Sequence, residues 1–277
     1  MPDPKEPCDG HFHNLNVEHH LYIGDKLVAI PDSLFVSGLH EGVGVHVLDN
    51  HTIMHEAVFG NIGDLTHIWT YDTDNSGAIA AFIGTDALHG GFKLTTGNTV
   101  GNQTAIATAG TNYKCTVGKP WWIKTRFNLD AHDTSEFFFG LTEQDADVNS
   151  FFTHTVGASK DRIGFLKLAH NVDAVTFACC KNTGGTASAA FESAQTYDAH
   201  LSVVSYGIYW DGVDSIKFYA NKVSTTATPG DMVLIHTYNT AAGIPDDSNL
   251  RLCFMIETAA SSALVSTIEY IKGAYTK

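Results

Sequence analysis

Short runs of β-branched and aromatic residues, separated by turn-forming residues, fill the second half of the sequence. In residues 121–129 apolar and polar positions alternate, so Ile123, Thr125, Phe127 and Leu129 share one face of an extended strand. No segment carries an apolar stripe with a 3.6-residue period over three turns, which argues against amphipathic helices. The pattern predicts an all-β fold, an antiparallel jelly-roll β-sandwich.

Further strands are predicted on the same grounds at residues 92–96, 136–141, 162–168, 174–181, 200–210, 215–220, 232–236, 250–258 and 263–271. Residues 211–214 (DGVD) separate two of these strands and have the composition of a hairpin turn. The strand at 136–141 contains the consecutive Phe137, Phe138 and Phe139, whose side chains must alternate between its two faces. We therefore expect one face to meet the opposite sheet, and the other to meet a loop, the N-terminal segment or a neighbouring subunit.

Residues 1–56 have a different composition from the rest of the chain. They hold four of the seven prolines and eight of the fifteen histidines, and their apolar pieces are short. Such a segment cannot bury enough apolar surface to form its own core. We interpret it as an arm that docks on its own sandwich (residues 57–277) or on a neighbouring subunit, the alternative being an unanchored terminus. The residues expected to make the assembly contacts are His11, Phe12, His13, Leu21, Tyr22, Ile23, Leu34, Phe35 and Val36.

The charge of the chain excludes some classes of partner. The formal net charge is −14, and residues 1–110 alone hold 13 acidic and 3 basic side chains. A field of this sign repels phosphates, so we expect neither nucleic acid nor an anionic membrane as a partner. The five cysteines show no CxxC spacing, and the N-terminus has no signal-peptide pattern. These features predict buried thiols in a protein made in a reducing cytoplasm.

Two groups of residues are the candidates for chemistry. Residues 143–148 (EQDADV) approach the Glu-x-Asp-x-x-Glu pattern of concanavalin-type β-glucan hydrolases, but Val148 replaces the second glutamate, the acid/base. The alternative interpretation is an acidic turn. His11 and His13 would project from the same side of an extended segment and could join a metal ring at a three-fold axis. The alternative is ordinary histidine without a ligand, and we predict no catalytic residue, metal or cofactor.

Three motifs carry a resemblance to a known family: W-x-x-x-R-F from Trp122, F-F-x-G-L from Phe137, and W-D-G-x-D-x-I-x-F-Y-x-N from Trp210. In this order they resemble the concanavalin A-like (laminin G-like) jelly-roll structural proteins of tailed-bacteriophage virions. The resemblance covers about residues 57–277. It implies a capsid decoration, head-fibre or tail-appendage protein without an active site.

The expected function is therefore a non-enzymatic virion structural protein. We expect a capsid decoration protein, made in the host cytoplasm, that binds the major capsid protein or other virion proteins through its arm. A homo-oligomer is expected, with a trimer the most plausible state. The alternative is a glycan-binding or receptor-binding tail or fibre protein of the same fold, in which surface aromatic side chains stack on a sugar.

Overall fold

The computed structural model describes residues 20–23, 26–29, 52–58, 69–73, 78–83, 91–130, 135–143, 160–168, 175–183, 186–192, 204–221 and 232–276. Within these segments every regular element is a β strand, apart from one turn of 3-10 helix at Ala241–Gly243. The predicted all-β class is confirmed.

Two antiparallel sheets form the sandwich. The seven-stranded sheet has the order β12 (Thr186–Glu192), β11 (Val175–Thr183), β10 (Arg162–Lys167), β9 (Ser135–Thr142), β16 (Arg251–Thr258), β7 (Gln103–Thr108) and β4 (Trp69–Thr73). The path of the eight-stranded sheet runs β15 (Met232–Tyr238), β14 (Ile216–Asn221), β13 (Val204–Trp210), β8 (Trp121–Leu129), β17 (Val265–Thr276), β6 (Gly91–Thr95) and β5 (Ala78–Ile83). Its eighth strand, β3 (Thr52–Val58), pairs with β17, and β1 (His20–Ile23) forms a separate hairpin with β2 (Lys26–Ala29).

Aromatic rings from both sheets fill the space between them. Phe127 of β8 packs against Phe137 of β9 and Phe254 of β16, with ring centroids 5.4 and 4.7 Å apart. Phe165 stacks on Tyr206 from the opposite sheet at 4.2 Å. All five rings are buried, and each contributes roughly 2–3 kcal/mol through the apolar area it removes from water. This core joins the two sheets into one folding unit.

The outer face of the seven-stranded sheet is also buried. Phe138 lies there with Leu166 and Met255, its cross-strand neighbours on β10 and β16. A Cβ on Gly164 would lie 2.4 Å from Cε2 of Phe138, so only glycine leaves room for that ring against β10. The expected division of Phe137–Phe139 between two covered faces is therefore confirmed.

The centre of the outer face of the eight-stranded sheet is also buried, whereas Arg126, Asn128 and Lys217 on that face are half-buried. Trp122, Tyr219, Met232 and Ala274 form a separate buried cluster on that face, with Tyr209 packed against it. Strand β8 therefore buries both the Ile123 face and the Trp122 face. Thus neither sheet presents these central side chains to solvent.

Strand β3 crosses the predicted division between residues 56 and 57. It pairs with the second half of β17, from Tyr270 to Thr276, while β6 pairs with the first part of the same strand. Residues 52–58 form an extended strand of seven residues. The segment just before the sandwich is therefore built into the eight-stranded sheet.

Candidate functional site

The structure describes three of the nine residues that are predicted to make assembly contacts. Leu21, Tyr22 and Ile23 lie on β1, where they pair with Val28, Leu27 and Lys26 of β2. The other six, His11, Phe12, His13, Leu34, Phe35 and Val36, lie outside the described residues. The arm interpretation, its contacts and the histidine metal hypothesis stay predictions.

Of the hydrolase-like segment, only Glu143 is described. Its backbone N–H donates to the carbonyl of Asp161 at 3.0 Å, and the N–H of Asp161 lies 3.4 Å from Glu143 Oε2. Glu143 thus helps to close the loop between β9 and β10, as expected of a turn residue. The remaining residues of that segment lie outside the described part of the chain.

A second pair of acids, which the sequence pattern did not suggest, lies on the outer face of the seven-stranded sheet. Glu136 of β9 is the cross-strand partner of Glu257 of β16, and Glu257 accepts a hydrogen bond from Gln103 Nε2 of β7. Opposed carboxylates are the requirement for glycoside hydrolysis. Glu136 is buried, with 3% of its surface exposed, and Glu257 is half-buried.

Two lysines lie side by side on the outer face of the eight-stranded sheet. Lys124 and Lys272 are cross-strand partners and both are buried. Their Nζ atoms lie 5.6 and 5.2 Å from the ring centroid of Tyr270, and Glu56 of β3 is in register with Lys272. The ring faces partly offset the cost of placing two positive charges together. Arg126 continues this basic row and forms an ion pair with Glu269 at 3.1 Å.

The end of the sandwich near residue 211 is built from tight turns. Asp211 accepts hydrogen bonds through Oδ1 from the N–H groups of Val213, Asp214 and Ser215, and through Oδ2 from Ser215 Oγ. Burial alone would raise the pKa of Asp211, but these donors lower it below the ordinary value. The N–H of Gly118 donates to the Gly212 carbonyl at 2.7 Å, which ties the next turn to this one.

Acidic side chains near the 3-10 turn are held by a lysine from β11. Lys181 Nζ contacts Asp246 Oδ1 and lies 3.6 Å from Asp247 Oδ2. The hydrogen bond from Lys181 is the main cause that lowers the pKa of Asp246, and the same bond raises the pKa of Lys181. Both aspartates remain exposed, so this rim can still offer carboxylate oxygens to a ligand.

The described cysteines have the character of buried core residues. Cys115, Cys179 and Cys253 are buried, and burial raises the pKa of the Cys115 and Cys253 thiols. Such thiols stay protonated and are poor nucleophiles or metal ligands. Across the described segments, no group of three or more His, Cys, Asp or Glu side chains is placed to hold a metal ion. Nor do the described residues contain a helix long and apolar enough to cross a membrane.

Exposed apolar side chains remain at two kinds of position. Val117 and Val213 stand on the two linked turns, 75% and 63% exposed. Val233 and Leu234 stand in β15, at the edge of the eight-stranded sheet, 40% and 48% exposed. Among the described residues, these positions on the rim and at the edge offer apolar contact area to a partner.

Comparison with known proteins supports the fold but does not assign a function. No protein-family model and no curated protein matches the sequence. Among solved structures, a protein of unknown function from Shewanella oneidensis MR-1 is similar at a TM-score of 0.56 and 10% identity, over 92% of this chain and 97% of the other.

Two further solved structures resemble this chain. LamAcat from Zobellia galactanivorans has a TM-score of 0.53 at 11% identity, over 82% of this chain and 98% of its own. Peanut lectin has a TM-score of 0.51 at 13% identity, over 81% of this chain and 97% of its own. Lectins are found among the similar structures. The sandwich therefore has a concanavalin A-like fold, and a fold alone does not assign a function.

Proposed function

We propose that this protein is a non-enzymatic structural protein of a tailed-bacteriophage virion, and that it decorates the capsid through residues 1–56. The observation that carries the non-enzymatic part is the burial of the central side chains on both outer sheet faces. The central side chains Phe138, Met255, Trp122 and Tyr219, which would otherwise form the floor of a cleft or sugar platform, are all buried. Partner contacts are then left to the arm, the turns and the sheet edge.

The support for the virion part of the proposal is the motif resemblance, and its three motifs lie on strands of the sandwich. Trp122, Arg126 and Phe127 lie on β8, the phenylalanines on β9, and the Trp210 motif on the β13–β14 hairpin. The acidic chain suits a surface that meets other proteins rather than packaged nucleic acid.

The experiment that tests this function is binding to particles that lack the protein. A chain without residues 1–51 is the informative truncation, because it keeps β3 and so leaves the eight-stranded sheet complete. We expect it to keep the circular dichroism spectrum of a β protein and to lose particle binding. A matched control without residues 2–9 retains all nine expected contact residues, and we expect it to bind like the full chain. If the 52–277 chain folds and still decorates the particles, the arm is not the attachment element.

Glycan binding is the second candidate function, favoured by one feature of the rim. Asp246 and Asp247 are exposed beside Lys181, a set of groups that can exchange hydrogen bonds with sugar hydroxyls. One of the similar structures is peanut lectin, and lectins are sugar-binding proteins. A glycan array separates the candidates: sugar-dependent binding that the double variant D246N/D247N loses would favour the lectin function over decoration alone.

A further inference from the structure

We infer that the outer face of the seven-stranded sheet binds a hard divalent cation between Glu136, Glu257 and Gln103. The three residues form one row across neighbouring strands, because Glu257 of β16 is the cross-strand partner of both Glu136 of β9 and Gln103 of β7. Residues that are directly opposed in an antiparallel sheet project from the same face, with their Cβ atoms about 5 Å apart. Two carboxylates and one carboxamide therefore stand side by side.

The carboxamide of Gln103 contains a buried acceptor that lacks a donor. Its Nε2 donates a hydrogen bond to Oε2 of Glu257, whereas its Oε1 has no hydrogen-bond partner within the described part of the chain. The orientation of the amide follows from this contact, because an ionised carboxylate accepts hydrogen bonds and cannot donate them. Gln103 is 4% exposed, and a buried polar atom in this state indicates a bound group.

The chemistry of the row limits what that group can be. Carboxylate and amide oxygens are acceptors, so the group that completes the row must be a donor or a cation. Oxygen ligands of this kind select Ca²⁺ or Mg²⁺ over transition metals. Ca²⁺ suits the row better, because it accepts about six to eight oxygens in flexible geometry, whereas Mg²⁺ demands a near-ideal octahedron. Side chains that are fixed on three adjacent strands, with water as the remaining ligands, meet the first requirement more readily.

The surroundings favour a bound cation as well. Ala105, Met255 and Phe138 form the next row of side chains on the same face, and all three are buried. Apolar neighbours lower the local dielectric constant and so strengthen the attraction between the carboxylates and a cation. Glu257 is half-buried, so the row can be reached from solvent at this residue.

A proton shared between the two carboxylates is the alternative, because closely spaced carboxyl groups cannot easily both ionise. Such a proton satisfies Glu136 and Glu257 but leaves Oε1 of Gln103 without a donor. A cation contacts all three side chains. It also removes the pair from glycoside hydrolysis, which requires one of the two carboxyl groups to carry a proton.

The test is calcium titration of the full chain after treatment with EDTA, by calorimetry and by thermal unfolding at constant ionic strength. We expect saturable binding of about one Ca²⁺ per chain, and a melting temperature that rises with calcium concentration because the ion binds the folded state. E257Q keeps the shape of the side chain but removes one anionic ligand, so its dissociation constant should rise on the order of tenfold or more. The matched control E269Q removes another half-buried glutamate, on the other sheet, and should bind calcium like the wild type.

A second variant changes the third ligand in the opposite direction. Q103E supplies a carboxylate in place of the amide, and circular dichroism verifies that it and E257Q are folded. We expect a lower melting temperature than that of the wild type without calcium, because three carboxylates repel one another, and a larger increase with calcium.

Three outcomes would overturn the inference: a wild type that binds no calcium, equal calcium affinity in the wild type and folded E257Q, or a calcium-dependent increase in Q103E that does not exceed that of the wild type. A shared proton predicts the first of these. None of the measurements contains a virion particle, so their result is independent of the attachment proposal.

Discussion

Apolar residues have different roles at the centre of the seven-stranded sheet and at the edge of the eight-stranded sheet. On β9, Phe137 and Phe139 enter the core while Phe138 is buried on the opposite face. On β15, Val233 and Leu234 are also apolar but stay 40% and 48% exposed. The difference teaches that apolar character alone does not locate a partner surface. Exposure after folding is a second condition that any partner surface must meet.

The largest expected effect comes from the buried outer face. Phe138→Ala should lower the free energy of unfolding by about 3–4 kcal/mol, because the cavity forms in a fully packed layer. Urea denaturation followed by tryptophan fluorescence measures this loss. Val213→Ala, at an exposed turn, should change the value by less than about 0.5 kcal/mol. A loss below about 1 kcal/mol for Phe138→Ala would mean that the outer face is open.

The outer face of the eight-stranded sheet should give the next largest effect. Tyr270→Ala should cost about 2–3 kcal/mol, since it removes a buried ring and leaves Lys124 and Lys272 without the aromatic face between them. Tyr270→Phe keeps that face and should cost less than about 1 kcal/mol. Equal losses for the two variants, in the same urea titration, would assign the effect to the hydroxyl group and not to the ring.

A smaller, pH-dependent effect is expected at the turn near residue 211. Asp211→Ala should cost about 1–2 kcal/mol at pH 7, because three backbone N–H groups lose their acceptor. The folded-state pKa of Asp211 is lowered, so its contribution is fully present above the ordinary carboxyl value of 3.8. That contribution fades as the pH falls through the lower folded-state pKa.

The measurement for this turn compares thermal unfolding of wild type and Asp211→Ala between pH 7 and pH 2.5. Asp214→Ala is the control, since it removes an equal charge from the same turn without removing the acceptor. A difference between wild type and Asp211→Ala that does not shrink toward acid would contradict the role of the ionised carboxylate.

The smallest effect is expected at the exposed rim. Lys181→Met should reduce stability by less than about 1 kcal/mol, because its partners Asp246 and Asp247 are exposed to solvent and salt. The loss should diminish further in 1 M NaCl, where surface ion pairs are screened. A larger loss that is insensitive to salt would show that this rim contributes packing and not only charge.

The sequence predicted the strands best where apolar residues alternate without interruption. Strand β8 was predicted with its observed ends, and the β13–β14 hairpin follows from its Asp-Gly turn. The sequence predicts that strand β17 ends at residue 271, but the strand continues to Thr276. The prediction stops early because the pattern indicates a solvent-facing lysine at position 272, whereas Lys272 is buried. Burial of a charged side chain by residues distant in sequence cannot be recognised from a local pattern.

The candidate site could be predicted only in part. The sequence pattern indicates Glu143, in the acidic segment after β9. It does not indicate Glu136 and Glu257, because these two residues are more than a hundred positions apart and become neighbours only through strand pairing. The lysine row is likewise created by the β8–β17 register. The exposure of Leu234 follows from the position of β15 at a sheet edge, which the strand order alone determines.

The most direct test of the closed outer faces is the reactivity of Cys253 in the native protein. This thiol belongs to the same buried cluster as Phe138 and is 0% exposed. Iodoacetamide labelling followed by peptide mass spectrometry should modify Cys253 on the order of a thousandfold more slowly than a cysteine placed in the exposed turn by Val213→Cys. Comparable rates for the two thiols would mean that the sheet face is accessible, and a ligand platform there would replace the closed sandwich proposed here.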